Sequence, residues 1–143
     1  MQSRLTAILL LLTACTGKAP ESDTVPGRWY TAAQVQEGET LYQLHCAVCH
    51  AADGSATAQW RVPDAAGTYP PPPLNGTAHT WHHPLAMLDA TIVNGGIAFG
   101  GVMPGFGAVL NEDDRLSIIA WFQDLWSDEI YAQWRAIDER SRN

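Results

Sequence analysis

The chain has 143 residues, 46% of them hydrophobic, with 8 Lys and Arg against 15 Asp and Glu and a formal charge of −7. That length fits one domain plus a terminal segment. The acidic balance excludes a nucleic-acid-binding surface, which needs clustered cations to meet phosphate.

At the N-terminus, Arg4 precedes the apolar run Leu5 to Leu12 and the small residues Thr13 and Ala14. A cation, a short apolar core and small residues define a secretory signal, and the run is too short to span a bilayer. Leu12-Thr13-Ala14-Cys15 resembles the lipobox of bacterial lipoproteins. The resemblance implies removal of residues 1–14, acylation of Cys15, and a protein lipid-anchored on the periplasmic side of a bacterial membrane. Loss of Arg4 leaves 7 bases against 15 acids, a formal charge of −8. Residues 15–28 hold Gly17, Pro20, Pro26 and Gly27 among Ser, Thr and acids, a composition expected of a flexible tether. The folded domain is expected over residues 29–143.

From Thr31, an N-cap residue type, the pattern is helical, with Val35, Leu41, Tyr42 and Leu44 as candidate buried positions. Gly38 costs a helix interior about 1 kcal/mol relative to Ala, which makes sense where a second helix crosses closely. The helix runs into Cys46-Ala47-Val48-Cys49-His50, the C-x-x-C-H pattern of c-type haem attachment. Each thiol can add to one haem vinyl group, and the adjacent imidazole can bind the iron. Thiol–disulfide exchange would need strand–helix–strand patterning, which is missing here. A zinc site would need Cys46 and Cys49 joined by two of His79, His82 and His83. With Cys15 as the anchor, both remaining cysteines belong to this pattern, and no structural disulfide is expected.

After His50 comes the turn Ala51-Ala52-Asp53-Gly54, then an irregular stretch through Trp60, Pro63 and Gly67, then four prolines at 70–73 that must be extended. Pro84 suits the first turn of a helix whose Leu85, Leu88 and Ile92 share a face and which ends at Asn94-Gly95-Gly96. Six glycines between 95 and 107 let the backbone lie flat against a large planar group, or leave it mobile. Asn111 caps the next helix, with Glu112, Asp113 and Asp114 in its positive first turn. Leu116, Ile119, Ala120 and Phe122 or Gln123 follow the helical period to Leu125-Trp126. Ser127 restarts a helix carrying Ile130, Tyr131, Trp134 and Ile137. The expected fold is therefore all-α, with a small core that one haem would complete.

The motifs Gly38-x-x-x-Tyr42, Cys46-x-x-Cys49-His50, Pro72-Pro73-Leu74-x-Gly76 and Met103-Pro104-x-Phe106, followed by an aromatic-rich C-terminal helix, resemble the small single-haem class I cytochromes c in kind and order. That resemblance implies first and last helices crossing at the glycine and one covalent haem c on Cys46 and Cys49. It implies His50 and Met103 as axial iron ligands, and a backbone carbonyl from the proline loop, aligned best as Pro72 with Pro71 or Pro73 also open, on the other nitrogen of His50. A His/Met pair raises the reduction potential and leaves no open iron position, so a single-electron carrier in a respiratory chain is expected rather than an enzyme. The acidic chain suggests redox partners with a basic docking face. Two other readings stand beside it: a haem sensor or haem–copper accessory protein using His79, His82 and His83, and a small haem enzyme with a labile distal site. The stretch between His50 and Leu74 is a long insertion relative to that family, and within it Trp60 and Tyr69 are further candidates to cover the haem edge, with Trp81 or a nearby histidine to contact a haem propionate.

If Cys15 is the lipid anchor, Cys15→Ser moves the protein from the membrane fraction to the soluble fraction of fractionated cells. Unchanged membrane association contradicts the lipobox.

Overall fold

The computed structural model describes residues 23–143; the expected signal segment and Cys15 lie outside the described residues. Among the described residues there are five helices and no strand beyond two isolated bridges. They are α1 (Ala32–His45), α2 (Ala47–His50), α3 (Leu85–Asn94), α4 (Glu112–Asp124) and α5 (Asp128–Ser141). Short 3-10 turns at Thr80–His82 and Ile97–Phe99 interrupt the long connections. The all-α expectation is met. None of these helices is long and apolar enough to cross a membrane.

Helix starts fall where the polar caps stand. Thr31 and Gln34 form a reciprocal capping box on α1, Asn111 and Asp114 form one on α4, and Ser127 accepts from the Ile130 amide on α5. Three acids in the first turn of α4 oppose the partial positive charge there. Helix α3 begins after Pro84 with no side-chain cap of its own. Buried Asp138 of α5 takes that role across the fold, accepting the Leu85 amide at 2.8 Å and pairing with Arg142.

The core is the crossing of α1 and α4. A Cβ at Gly38 would collide with the Ser117 backbone carbonyl and touch the Trp121 Cβ, so only glycine allows this approach. One turn on, buried Tyr42 packs its ring on Trp121 with centroids 4.0 Å apart. Helix α4 is buried nearly all round from Ser117 to Phe122, which explains why its apolar pattern is broader than one stripe. The crossing partner of α1 is thus the first of two C-terminal helices. The break between them leaves Trp126 buried and Leu125 exposed.

Two expectations change. Leu44, listed among buried positions, is 72% exposed. It stands two residues past Tyr42, about 200° around the helix, and so faces away from α4. Residues 24–28, assigned by composition to the tether, lie on the domain: Thr24 bridges to Thr31, Val25 packs on the core, and Arg28 sits 3.9 Å over the Tyr131 ring while pairing with Asp128.

Gly38→Ala should lower stability by about 1–3 kcal/mol, the usual cost of overpacking. The measurement is the urea midpoint, and an unchanged midpoint would mean the crossing is looser than described.

Candidate functional site

The end of α1 delivers Cys46 and α2 delivers Cys49 and His50 to the wall of an apolar cavity of about 700 Å³. Ile118 and Phe122 of α4, Leu88 and Ile92 of α3, and Met103 of the glycine-rich loop line the same cavity. His50 is buried. Its Nδ1 stands 2.9 Å from a proline carbonyl, and of the three prolines left open by the sequence the one in reach is Pro72. A carbonyl only accepts, so Nδ1 carries the proton and Nε2 keeps its lone pair. Burial lowers the pKa of the ring, against which the Pro72 bond acts in the opposite sense. The result is a neutral imidazole with one nitrogen fixed and the other free, the state a metal ligand needs.

Three contacts hold this arrangement that the sequence pattern did not reveal. The Tyr42 hydroxyl lies 3.2 Å from the His50 carbonyl and donates to the Ala51 carbonyl at 2.9 Å. Ala51 needs that support because its φ is +62°, a region L-residues seldom enter. Buried Thr80 donates its hydroxyl to the Pro73 carbonyl at 3.0 Å, fixing the proline loop beside Pro72. Trp126 Nε1 donates to the Leu74 carbonyl at 2.7 Å, tying the same loop to the end of α4. Capping and ring types were visible in sequence, but no local pattern announces a hydroxyl reaching nine residues ahead.

The glycine-rich segment is folded back on α3. Gly96 donates to the Met103 carbonyl at 2.9 Å, Phe106 to Ile92 at 2.8 Å and Gly107 to Val93 at 3.2 Å. At Gly95 (φ +79°) a Cβ would lie 2.5 Å from the Met103 carbonyl oxygen. The segment packs backbone on backbone, and this places half-buried Met103 on the cavity wall.

The histidine segment is divided. His79 and His83 line the cavity, whereas Trp81 and His82 pack on each other and do not line it. Trp60 and Tyr69 of the long insertion also line the cavity, Trp60 stacking on His79 with centroids 4.5 Å apart. Among the described residues no group of three or more His, Cys, Asp or Glu is arranged to hold a metal ion. The four-ligand zinc set is therefore not assembled, and the three histidines do not converge. Burial, with the charge of Cys49, pushes the Cys46 thiol up to about 11. Disulfide exchange calls for the opposite, an acidified thiol.

An all-α fold with C-x-x-C-H, a proline-loop carbonyl on the histidine and a methionine loop about one apolar cavity defines a class I c-type cytochrome domain. The family model described as cytochrome c oxidase, cbb3-type, subunit III matches residues 33–122, and the chain belongs to that family. No curated protein and no solved structure matches the chain. The domain thereby implies haem c and electron transfer. The residues present fit that group. The cavity lies in the range of cofactor pockets, about 300–1,000 Å³, its wall carries a neutral imidazole, a thioether and two thiols, and His79 Nδ1 is a buried polar atom without a hydrogen-bond partner.

Tyr42→Phe removes one donor from a strained turn and should cost about 1 kcal/mol, read as a lower melting temperature. Stability equal to wild type would show that Ala51 holds its conformation unaided.

Proposed function

We propose that the chain is a single-electron carrier with one haem c held covalently by Cys46 and Cys49 and ligated by His50 and Met103, lipid-anchored through Cys15 and working in a periplasmic or membrane-associated respiratory chain. The observation that carries the reading is the presence of His50 and Met103 on the wall of one apolar cavity, with His50 Nδ1 taken by the Pro72 carbonyl. When bound, haem supplies the one-electron couple.

The chain's residues set how that couple behaves. Pro72 fixes the orientation of the His50 ring and raises its basicity through the Nδ1 proton. The Met103 thioether, a soft neutral donor, favours the reduced state and raises the potential. Apolar walls from Leu88, Ile92, Ile118 and Phe122 keep water out and disfavour added charge. Were His50 and Met103 both to hold the iron, oxygen and peroxide chemistry would have no open site, which supports a carrier over an enzyme.

Redox partners are proposed to present a basic face, drawn by the net negative charge over distances of about a Debye length. Contact itself has a different character at the cavity mouth. Residues 90–111 carry no charge, and within them Ile97, Phe99 and Val102 are exposed, Phe99 at 80%. Charge would then govern the encounter rate, and apolar contact the docked state.

The ferric protein should show the far-red methionine-to-iron charge-transfer band, and Met103→Ala should abolish it and leave a haem that binds added cyanide rapidly. A wild-type ferric haem that is high-spin and takes cyanide at once would overturn the carrier reading.

A further inference from the structure

The loop that carries Met103 has few attachments beyond itself. The Gly96 amide donates to the Met103 carbonyl at 2.9 Å, and the Phe99 and Gly101 amides both donate to the Gly96 carbonyl, at 3.0 and 3.1 Å. Ile97, Phe99 and Val102 stand exposed, so little buried apolar area holds the tip. Among the described residues one hydrogen bond joins the stretch 96–104 to another part of the chain, and it comes from the insertion. The Tyr69 amide donates to the Gly100 carbonyl at 3.0 Å, beside a parallel bridge between Tyr69 and Gly101. The Tyr69 ring lies along the same residue, 3.7 Å from where a Cβ at Gly100 would stand.

Tyr69 is followed directly by Pro70 to Pro73. A run of this kind is extended, rises about 3.1 Å per residue and has φ fixed at every ring. Its far end is anchored three times: His50 Nδ1 donates to the Pro72 carbonyl at 2.9 Å, the Thr80 hydroxyl to Pro73 at 3.0 Å and the Trp126 indole to Leu74 at 2.7 Å. Three residue steps therefore separate the anchor on His50 from the anchor on the methionine loop, about 9 Å along a stiff segment.

We propose that the proline run is a strut joining the two ligand loops, and that Tyr69, at its methionine end, is the positioning residue that keeps Met103 on the iron. The proposal rests on the carrier reading above and adds what holds the second ligand of that reading. A loop with few outside bonds opens locally at small cost, and a tie to a well-anchored segment raises that cost. The prolines are ordered before the contact forms, so little further freedom is lost in making it. From Tyr69 the constraint reaches Met103 through three backbone hydrogen bonds: Tyr69 to Gly100, Gly101 to Gly96, and Gly96 to Met103.

Cyanide binding to the full-length ferric holoprotein reads the opening of this loop. Cyanide takes the iron position that the Met103 sulfur leaves, with no change of oxidation state, and at saturating cyanide the rate is that of loop opening. Tyr69→Ala should raise this limiting rate about fivefold, the factor that one ordinary hydrogen bond makes, while the methionine charge-transfer band of the resting protein persists. Tyr69→Phe keeps the ring and the amide and should bind cyanide as wild type does. Pro71→Gly leaves both anchors in place, softens only the segment between them, and should raise the rate about two- to fivefold. Val25→Ala, a core change away from the cavity, should lower the urea midpoint and leave the cyanide rate at the wild-type value. A rate unchanged in Tyr69→Ala or in Pro71→Gly, or raised equally by Tyr69→Phe or Val25→Ala, overturns the proposal and leaves the carrier reading intact. Should Tyr69→Ala not accumulate, Pro71→Gly compared with Val25→Ala carries the test. Absence of covalent haem in the wild type, read from the alkaline pyridine spectrum, overturns the carrier reading and this proposal together.

Discussion

The close crossing of α1 and α4 at Gly38 is the constraint on which the remainder depends. Ordinary helix packing keeps axes 8–10 Å apart, and removing one Cβ brings the backbone of α1 onto the Ser117 carbonyl. Because Cys46 and His50 follow directly from α1, this contact also sets where the C-x-x-C-H turn meets α4. Ser117 is the crossing point, and the next residue, Ile118, with Phe122 one turn later, already lines the cavity. The same two helices therefore make the core and one wall of the site, and stability and function are not separable there.

From that crossing the chain builds outward through hydrogen bonds to backbone carbonyls. Tyr42 holds the turn after His50, Pro72 holds the His50 ring, Thr80 holds Pro73, and Trp126 holds Leu74. Each acceptor lies in a loop that has few bonds of its own, and prolines at 70–73 cannot donate any. A proline-rich loop offers stiff, pre-set carbonyls, which suits a segment whose task is to accept at fixed points. The side chains that donate come from α1, α2, the turn after the loop and the junction between α4 and α5, so the loop is positioned by its surroundings.

Much of this was legible in the sequence, for identifiable reasons. Thr31, Asn111 and Ser127 are cap residues in front of periodic segments, and each caps the helix expected. Gly38 at an otherwise helical position pointed to a close crossing. What was not legible depends on tertiary register. Leu44 reads as core because it is apolar, yet its place about 200° around the helix from Tyr42 leaves it outside. Pro71, Pro72 and Pro73 are equivalent as a pattern, and only the placement of the loop selects the carbonyl near His50. The tether composition of residues 24–28 concealed Val25 and Arg28, whose partners Tyr30, Tyr131 and Asp128 include two about a hundred positions away. The three clustered histidines looked like a unit until the turn at Thr80–His82 sent His79 and His83 to the cavity and left His82 outside.

The insertion after His50 now has a physical role that its irregular composition did not suggest. Its residues have little to bury by themselves, and all from Arg61 to Gly67 are exposed. Its fixed points are local turns, the Tyr69 amide bonded to the Gly100 carbonyl at 3.0 Å, and the Trp60 ring on His79. The Tyr69 bond joins the insertion to the methionine loop and the Trp60 stack joins it to the histidine turn, so one segment spans both sides of the cavity mouth. A stacked indole is well suited to that joint, because it buries apolar area while leaving the His79 nitrogens free to pair. The segment contributes a cation, Arg61, and the rings of Trp60 and Tyr69 to the cavity wall and lies outside the crossing of α1 and α4. Variation in such an insertion can therefore tune the polarity of the site, and with it the balance between oxidised and reduced states, without disturbing the helices that build it.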